Sequence, residues 1–137
     1  MIDILVIDDE PSVGDALSIV LGDHGFRVVV ALNGRDGVEL AKSHKFSVAI
    51  TDLRLPDISG FDVLHCLKLN DPACPVIVIT AHRTPEVVAE SMRLGALEVL
   101  SKPFFPSDLL SLINAGLNRE LTGGTEMGDG GMVEPCA

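Results

Sequence analysis

Close to its N-terminus the chain reads Ile2-Asp3-Ile4-Leu5-Val6-Ile7 and turns at once into Asp8-Asp9-Glu10. An almost continuous apolar run of this length, rich in β-branched side chains, fits a strand covered on both faces. Beyond the acids, Val13, Ala16, Leu17, Val20 and Leu21 recur at the i, i+3, i+4 spacing of one helix face, which predicts a helix over 12–23. A buried strand, an acidic turn and an amphipathic helix together make the repeating unit of a parallel α/β sheet.

The same unit recurs along the chain. Strand-like runs follow at 27–31, 47–51, 76–80 and 98–101, with helical periodicity at 35–43, 62–70, 85–94 and 107–118. Five alternations predict one α/β domain of doubly wound (βα)5 form, a five-stranded parallel sheet with right-handed crossovers. In such sheets functional groups gather at the carboxyl ends of the strands. Those ends carry Asp8, Asp9 and Glu10 after the first strand, Asp52 after the third, Thr80 at the fourth and Lys102 after the fifth. The second ends in Ala31-Leu32-Asn33, with nothing ionisable. With strand 2 at an edge, in the flavodoxin-like order 2-1-3-4-5, the other four strands are neighbours and their polar ends converge on one pocket.

Composition sets the outer limits. The 137 residues are 47% hydrophobic and 22% charged, with a mean hydropathy of +0.37, as expected for one globular domain. Ten Lys and Arg against twenty Asp and Glu leave a net charge of −10, which repels polyanions and argues against direct nucleic-acid binding. There is no cationic leader and no apolar run approaching the ~18 residues of a membrane span, so a cytoplasmic address is expected. Cys66, Cys74 and Cys136 form no CxxC pair and read as reduced thiols. His24, His44, His65 and His82 lack the mutual spacing of a zinc site. From residue 121 onward the sequence holds five glycines and no basic residue, so the domain is expected to occupy 1–120 and 121–137 to be a flexible Gly-rich acidic tail or linker.

A pocket holding Asp8, Asp9 and Asp52 within a few ångströms would raise the pKa of at least one of them unless a cation intervened. Lys102 supplies a single positive charge. The expected partner is a hard divalent cation, Mg2+ with Mn2+ as a substitute, since Mg2+ takes a few carboxylates, a carbonyl and retained waters.

Four segments carry a specific resemblance: Ile4-Leu5-Val6-Ile7-Asp8-Asp9-Glu10, Asp52-Leu53-Arg54-Leu55-Pro56-Asp57-Ile58-Ser59-Gly60, Ile79-Thr80-Ala81, and Ser101-Lys102-Pro103-Phe104. In this order and at these strand ends they resemble the receiver (response-regulator) domain of bacterial two-component signalling, over roughly residues 1–120. The resemblance implies that Asp52 is the phosphoacceptor, taking a phosphoryl group from a phosphohistidine on a sensor histidine kinase or a phosphotransfer domain. An ordinary aspartate titrates near ~3.9 and is ionised and nucleophilic at neutral pH. It further implies that Asp9, Asp52 and the backbone carbonyl of Arg54 ligate Mg2+, with Asp8 helping through water. Thr80, Ala81 and Lys102 would bind the phosphoryl group, and Lys102-Pro103 would be a cis peptide. Thr80 would then draw in the loop beyond the fourth strand and switch a surface made of the fourth helix, fifth strand and fifth helix. The domain would act as a signalling phosphoacceptor rather than an enzyme, catalysing only its own phosphorylation and slow dephosphorylation.

Two features qualify that pattern. The family usually places an aromatic or His three residues before the lysine, and here that position is Val99. Arg54 and His82 lie two residues beyond Asp52 and Thr80, where they are expected to tune phosphoryl lifetime. The alternative function is a degenerate receiver acting as a phosphorylation-independent interaction module. Against rival enzymes, the Asp-Asp-Glu turn repels a bare phosphate, no GxGxxG follows the first strand, and Arg54 stands where an aspartate-nucleophile phosphatase wants an acid. The sequence names neither kinase, stimulus nor output partner, and leaves homodimerisation open.

Overall fold

The computed structural model describes residues 2–121. Strand and helix alternate as β1 (Ile2–Ile7), α1 (Pro11–Asp23), β2 (Phe26–Ala31), α2 (Gly34–Ser43), β3 (Val48–Asp52), α3 (Gly60–Asn70), β4 (Val76–Thr80), α4 (Pro85–Arg93), β5 (Glu98–Ser101) and α5 (Pro106–Leu121). All strand pairs are parallel and the sheet order is β2-β1-β3-β4-β5, the order anticipated above. Four of the helices begin one or two residues earlier than periodicity suggests, while α4 begins at Pro85 as expected. Apolar spacing does not register Pro11, Gly34, Gly60 or Pro106 at the first helical turn, although proline is well suited there because its missing N–H has no intrahelical partner. Asp52 is the last residue of β3 rather than the first beyond it.

The alternation of β1 explains the layering. Ile4 and Val6 face α1 and α5, joining Leu17, Leu21, Leu109 and Ile113, while Leu5 and Ile7 face the other side with Val38, Val63, Leu64 and Leu67 of α2 and α3. Every one of these side chains is buried, and full burial of a Leu or Ile side chain is worth about 1.5–3 kcal/mol. Two apolar layers thus clamp the sheet, and the strands' carboxyl ends are fixed relative to one another. No helix among the described residues is long and apolar enough to cross a membrane. Cys74 is buried. Cys66 is disulfide-bonded, which corrects the reduced-thiol expectation for that residue. The expected tail at 121–137 starts on Leu121, the last residue of α5, and its remainder lies outside the described residues.

Candidate functional site

Register brings the polar strand ends together. β1 lies between β2 and β3, and β4 between β3 and β5, so Asp8, Asp52, Thr80 and Lys102 end adjacent strands at one edge of the core. Carboxylate oxygens of Asp8, Asp9 and Asp52 all fall within 4.8 Å of one another. Asp8 and Asp52 are buried and Asp9 is exposed. Lys102 closes the group, its Nζ donating to Asp52 Oδ2 at 2.7 Å and lying 2.8 Å from Asp8 Oδ2 and 3.2 Å from Glu10 Oε1. The Lys102–Pro103 peptide bond is cis.

The remaining oxygens are held by backbone. Asp8 Oδ1 accepts the Glu10 N–H at 2.9 Å, and Asp52 Oδ1 accepts the Arg54 N–H at 3.1 Å. Asp8 Oδ2 is different: it feels the Lys102 charge but has no aligned hydrogen-bond donor, although it is fully buried. Burial pushes the Asp8 carboxyl above its ordinary pKa, against the pull of Lys102 and the Glu10 N–H. For Lys102, burial works to lower the pKa, but its hydrogen bond to Asp52 and its ion pair with Asp8 outweigh that and raise it above the usual lysine value. One ammonium therefore faces more negative charge than it can neutralise, and an orphaned carboxylate oxygen among three close acids fits a hard cation.

Thr80 is buried at the end of β4. Its Oγ1 accepts the His82 N–H at 3.1 Å, and its carbonyl accepts the Lys102 N–H at 2.8 Å. Arg54, Ala81 and His82 are exposed around the pocket's rim, while Val99 is buried in the layer beneath α2 and α3.

Two acids were given no role of their own from the sequence. Glu10 reaches Lys102, and the only signal for it is its place as the third acid after β1. Asp57 ties the loop beyond Asp52 to the start of α2, accepting the Gly34 and Arg35 N–H groups at 2.8 Å each, and the Ile58 N–H at 2.9 Å. Burial raises the Asp57 pKa, but these backbone donors outweigh it and leave the carboxyl below its ordinary value.

Comparison with known proteins identifies the family and the fold. Among curated proteins, the chain is 32% identical over 130 residues to the probable transcriptional regulatory protein TcrX of Mycobacterium tuberculosis, covering 95% of this chain and 55% of TcrX. It is 34% identical over 116 residues to the transcriptional regulatory protein CusR of Escherichia coli, covering 85% of this chain and 51% of CusR. The chain thus spans about half the length of the curated relatives it matches. Among solved structures, a response regulator receiver domain protein from Clostridium thermocellum superposes with a TM-score of 0.83 at 32% identity, covering 89% of this chain and 98% of that one. The beryllofluoride-activated NtrC4 receiver domain dimer gives a TM-score of 0.83 at 32% identity, covering 88% and 99%. The response regulator receiver domain profile matches residues 4–114, from within β1 into α5, and this chain belongs to that family of two-component signalling domains.

Proposed function

We propose that this receiver domain is a phosphoacceptor, with Asp52 as the residue that takes the phosphoryl group from a phosphohistidine of a sensor kinase or phosphotransfer domain. The observation that carries the reading is Lys102 Nζ lying between Asp8 and Asp52, with Asp9 beside them, at the carboxyl ends of adjacent strands. In the transfer, a carboxylate oxygen of Asp52 forms the new O–P bond as the N–P bond to the donor imidazole breaks, and the electron pair of that bond returns to the ring. Asp9, Asp52 and the Arg54 carbonyl would hold Mg2+, with Asp8 acting through water. The cation would offset carboxylate repulsion and the charge of the transferring group.

Lys102 exchanges its bond to the Asp52 carboxylate for one to a phosphoryl oxygen, a short move for a flexible ammonium already in the pocket. Thr80 turns its hydroxyl towards the added group, which carries about −1.5 to −2 charges. That motion withdraws Oγ1 from the His82 N–H and pulls on the loop carrying Ala81 and His82, biasing the surface of α4, β5 and α5 that meets an output domain or protein. Arg54 and His82 stand where water enters and so set the rate of the slow hydrolysis. Residues 1–120 make the receiver, acting in the cytoplasm, and 121–137 serve as its linker or tail.

Incubating the full chain with acetyl phosphate and Mg2+ should add one phosphoryl mass that is absent in Asp52→Asn. Val99 in place of an aromatic favours the second reading, a phosphorylation-independent interaction module, and an unlabelled wild type under magnesium would select it.

A further inference from the structure

Among the described residues β5 pairs only with β4, which leaves its other edge without a neighbouring strand. Successive residues of a strand send their backbone groups to opposite edges. At Val99 both backbone groups are taken by side chains: its N–H donates to Glu98 Oε1 at 3.0 Å, and its carbonyl accepts from Arg83 Nε at 2.9 Å. The Val99 side chain is buried at 2% exposure, while Arg83 is exposed and belongs to the loop between β4 and α4. Arg83 lies three residues beyond Thr80, so residues 80–83 are pinned at both ends, at His82 N–H to Thr80 Oγ1 and at Arg83 to β5.

We propose that Arg83 is a positioning residue that latches the β4–α4 loop to the outer edge of β5 and so sets how readily Thr80 can turn towards a group bound at Asp52. The inference rests on the reading of Asp52 as phosphoacceptor. Turning the Thr80 hydroxyl releases the first pin, and so short a loop cannot follow far while the second holds. A guanidinium bonded to a carbonyl is a charge-assisted contact with a fixed direction, and an ammonium does not reproduce its geometry. Coupling of this kind is reciprocal: whatever the latch adds to the present loop position is withheld from the arrangement that binds the phosphoryl group. Where the side chain at position 99 is a buried valine, the loop is tied to β5 through that residue's backbone instead.

The test compares wild type, Arg83→Met and Arg83→Lys as the full chain, using beryllium fluoride with Mg2+ as the phosphoryl analogue. Two readings are taken: amide hydrogen exchange across 81–84 without analogue, and analogue affinity at fixed Mg2+. Arg83→Met should exchange faster across the loop and bind the analogue about fivefold tighter, the low end of ordinary coupling, with Arg83→Lys between the two. Thermal unfolding of the variants should match wild type, because the contact is at the surface. Loop exchange equal to wild type, or analogue binding unchanged or weaker in Arg83→Met, overturns the latch alone. A wild type that neither binds the analogue nor is labelled by acetyl phosphate removes the phosphoacceptor reading, and the latch with it.

Discussion

At the residue scale, charge is sorted to opposite ends of β1. Asp8 leaves its carboxyl end into the acidic pocket, whereas Asp3 sits near the other end, bound by Arg27 through two hydrogen bonds of 3.0 and 2.6 Å and by His44 Nε2 at 2.6 Å. The Arg27 guanidinium first, and His44 second, hold the Asp3 carboxyl down at about 2, below its ordinary 3.8. A depressed folded-state value means that this carboxylate adds stability above about 4, and that the contribution is lost as pH falls towards about 2. Asp3→Asn should therefore unfold at a lower temperature than wild type at neutral pH, with the gap closing between about pH 4 and pH 2. Calorimetric scans across that window check it, and a gap independent of pH would show that packing, not charge, was lost. The sequence offered no hint of this cluster, because parallel pairing of β1 with β2 joins Asp3 to Arg27, and His44 reaches them from the end of α2. Arg83 and Asp57 were hidden because each is a loop residue whose long-range partners are backbone groups 16 to 23 positions away in sequence. Asp8, Asp9, Asp52, Thr80 and Lys102 were legible because each ends or follows a recognisable strand.

At the element scale, legibility tracks how much of a segment is apolar. The strands β1, β4 and β5 were bounded correctly, since a buried parallel strand is an uninterrupted apolar run with polar residues on either side. The starts of α1, α2, α3 and α5 were read late because capping chemistry, unlike periodicity, is a single-residue signal. The start of α3 shows what such a residue does for the site. Gly60 N–H donates to the Leu53 carbonyl at 3.0 Å, and a Cβ at Gly60 would collide with the Asp52 carbonyl oxygen and the Leu53 Cα. These are backbone atoms and cannot rotate away. Gly60→Ala should lower stability by about 1–3 kcal/mol, the usual penalty for overpacking, and displace the end of β3 that carries Asp52. Denaturant unfolding measures the first effect. Labelling by acetyl phosphate measures the second and should slow even in samples confirmed to be folded. At the start of α2, Asn33 Oδ1 accepts the Asp36 N–H at 2.8 Å, so Asn33→Ala should cost about 1 kcal/mol of stability without changing the labelling rate.

At the scale of the whole molecule, the fold concentrates part of a net charge of −10 where it is least tolerated. Two apolar layers grip the sheet, and the only way the strands can end together is with Asp8 buried, Asp52 nearly so and Asp9 alongside. Lys102 offsets some of that repulsion, and Glu10 competes for the same ammonium. The folded protein therefore holds an electrostatic strain that the unfolded chain, with its acids dispersed, does not. A cation that binds only the folded form stabilises it by RT ln(1 + [L]/Kd), about 2.7 kcal/mol at a hundredfold excess over Kd. Mg2+ should accordingly raise the unfolding temperature of the wild type, while equal ionic strength supplied as a monovalent salt should raise it far less. Asp9→Asn is the informative variant, because Asp9 is exposed and its replacement leaves the core untouched. Without Mg2+ this variant should be at least as stable as wild type, having lost a like charge from the cluster, and with Mg2+ it should forfeit most of the gain. Titrating Mg2+ against unfolding temperature for both proteins decides the matter. Parallel curves would mean that the acids at the strand ends do not share a cation.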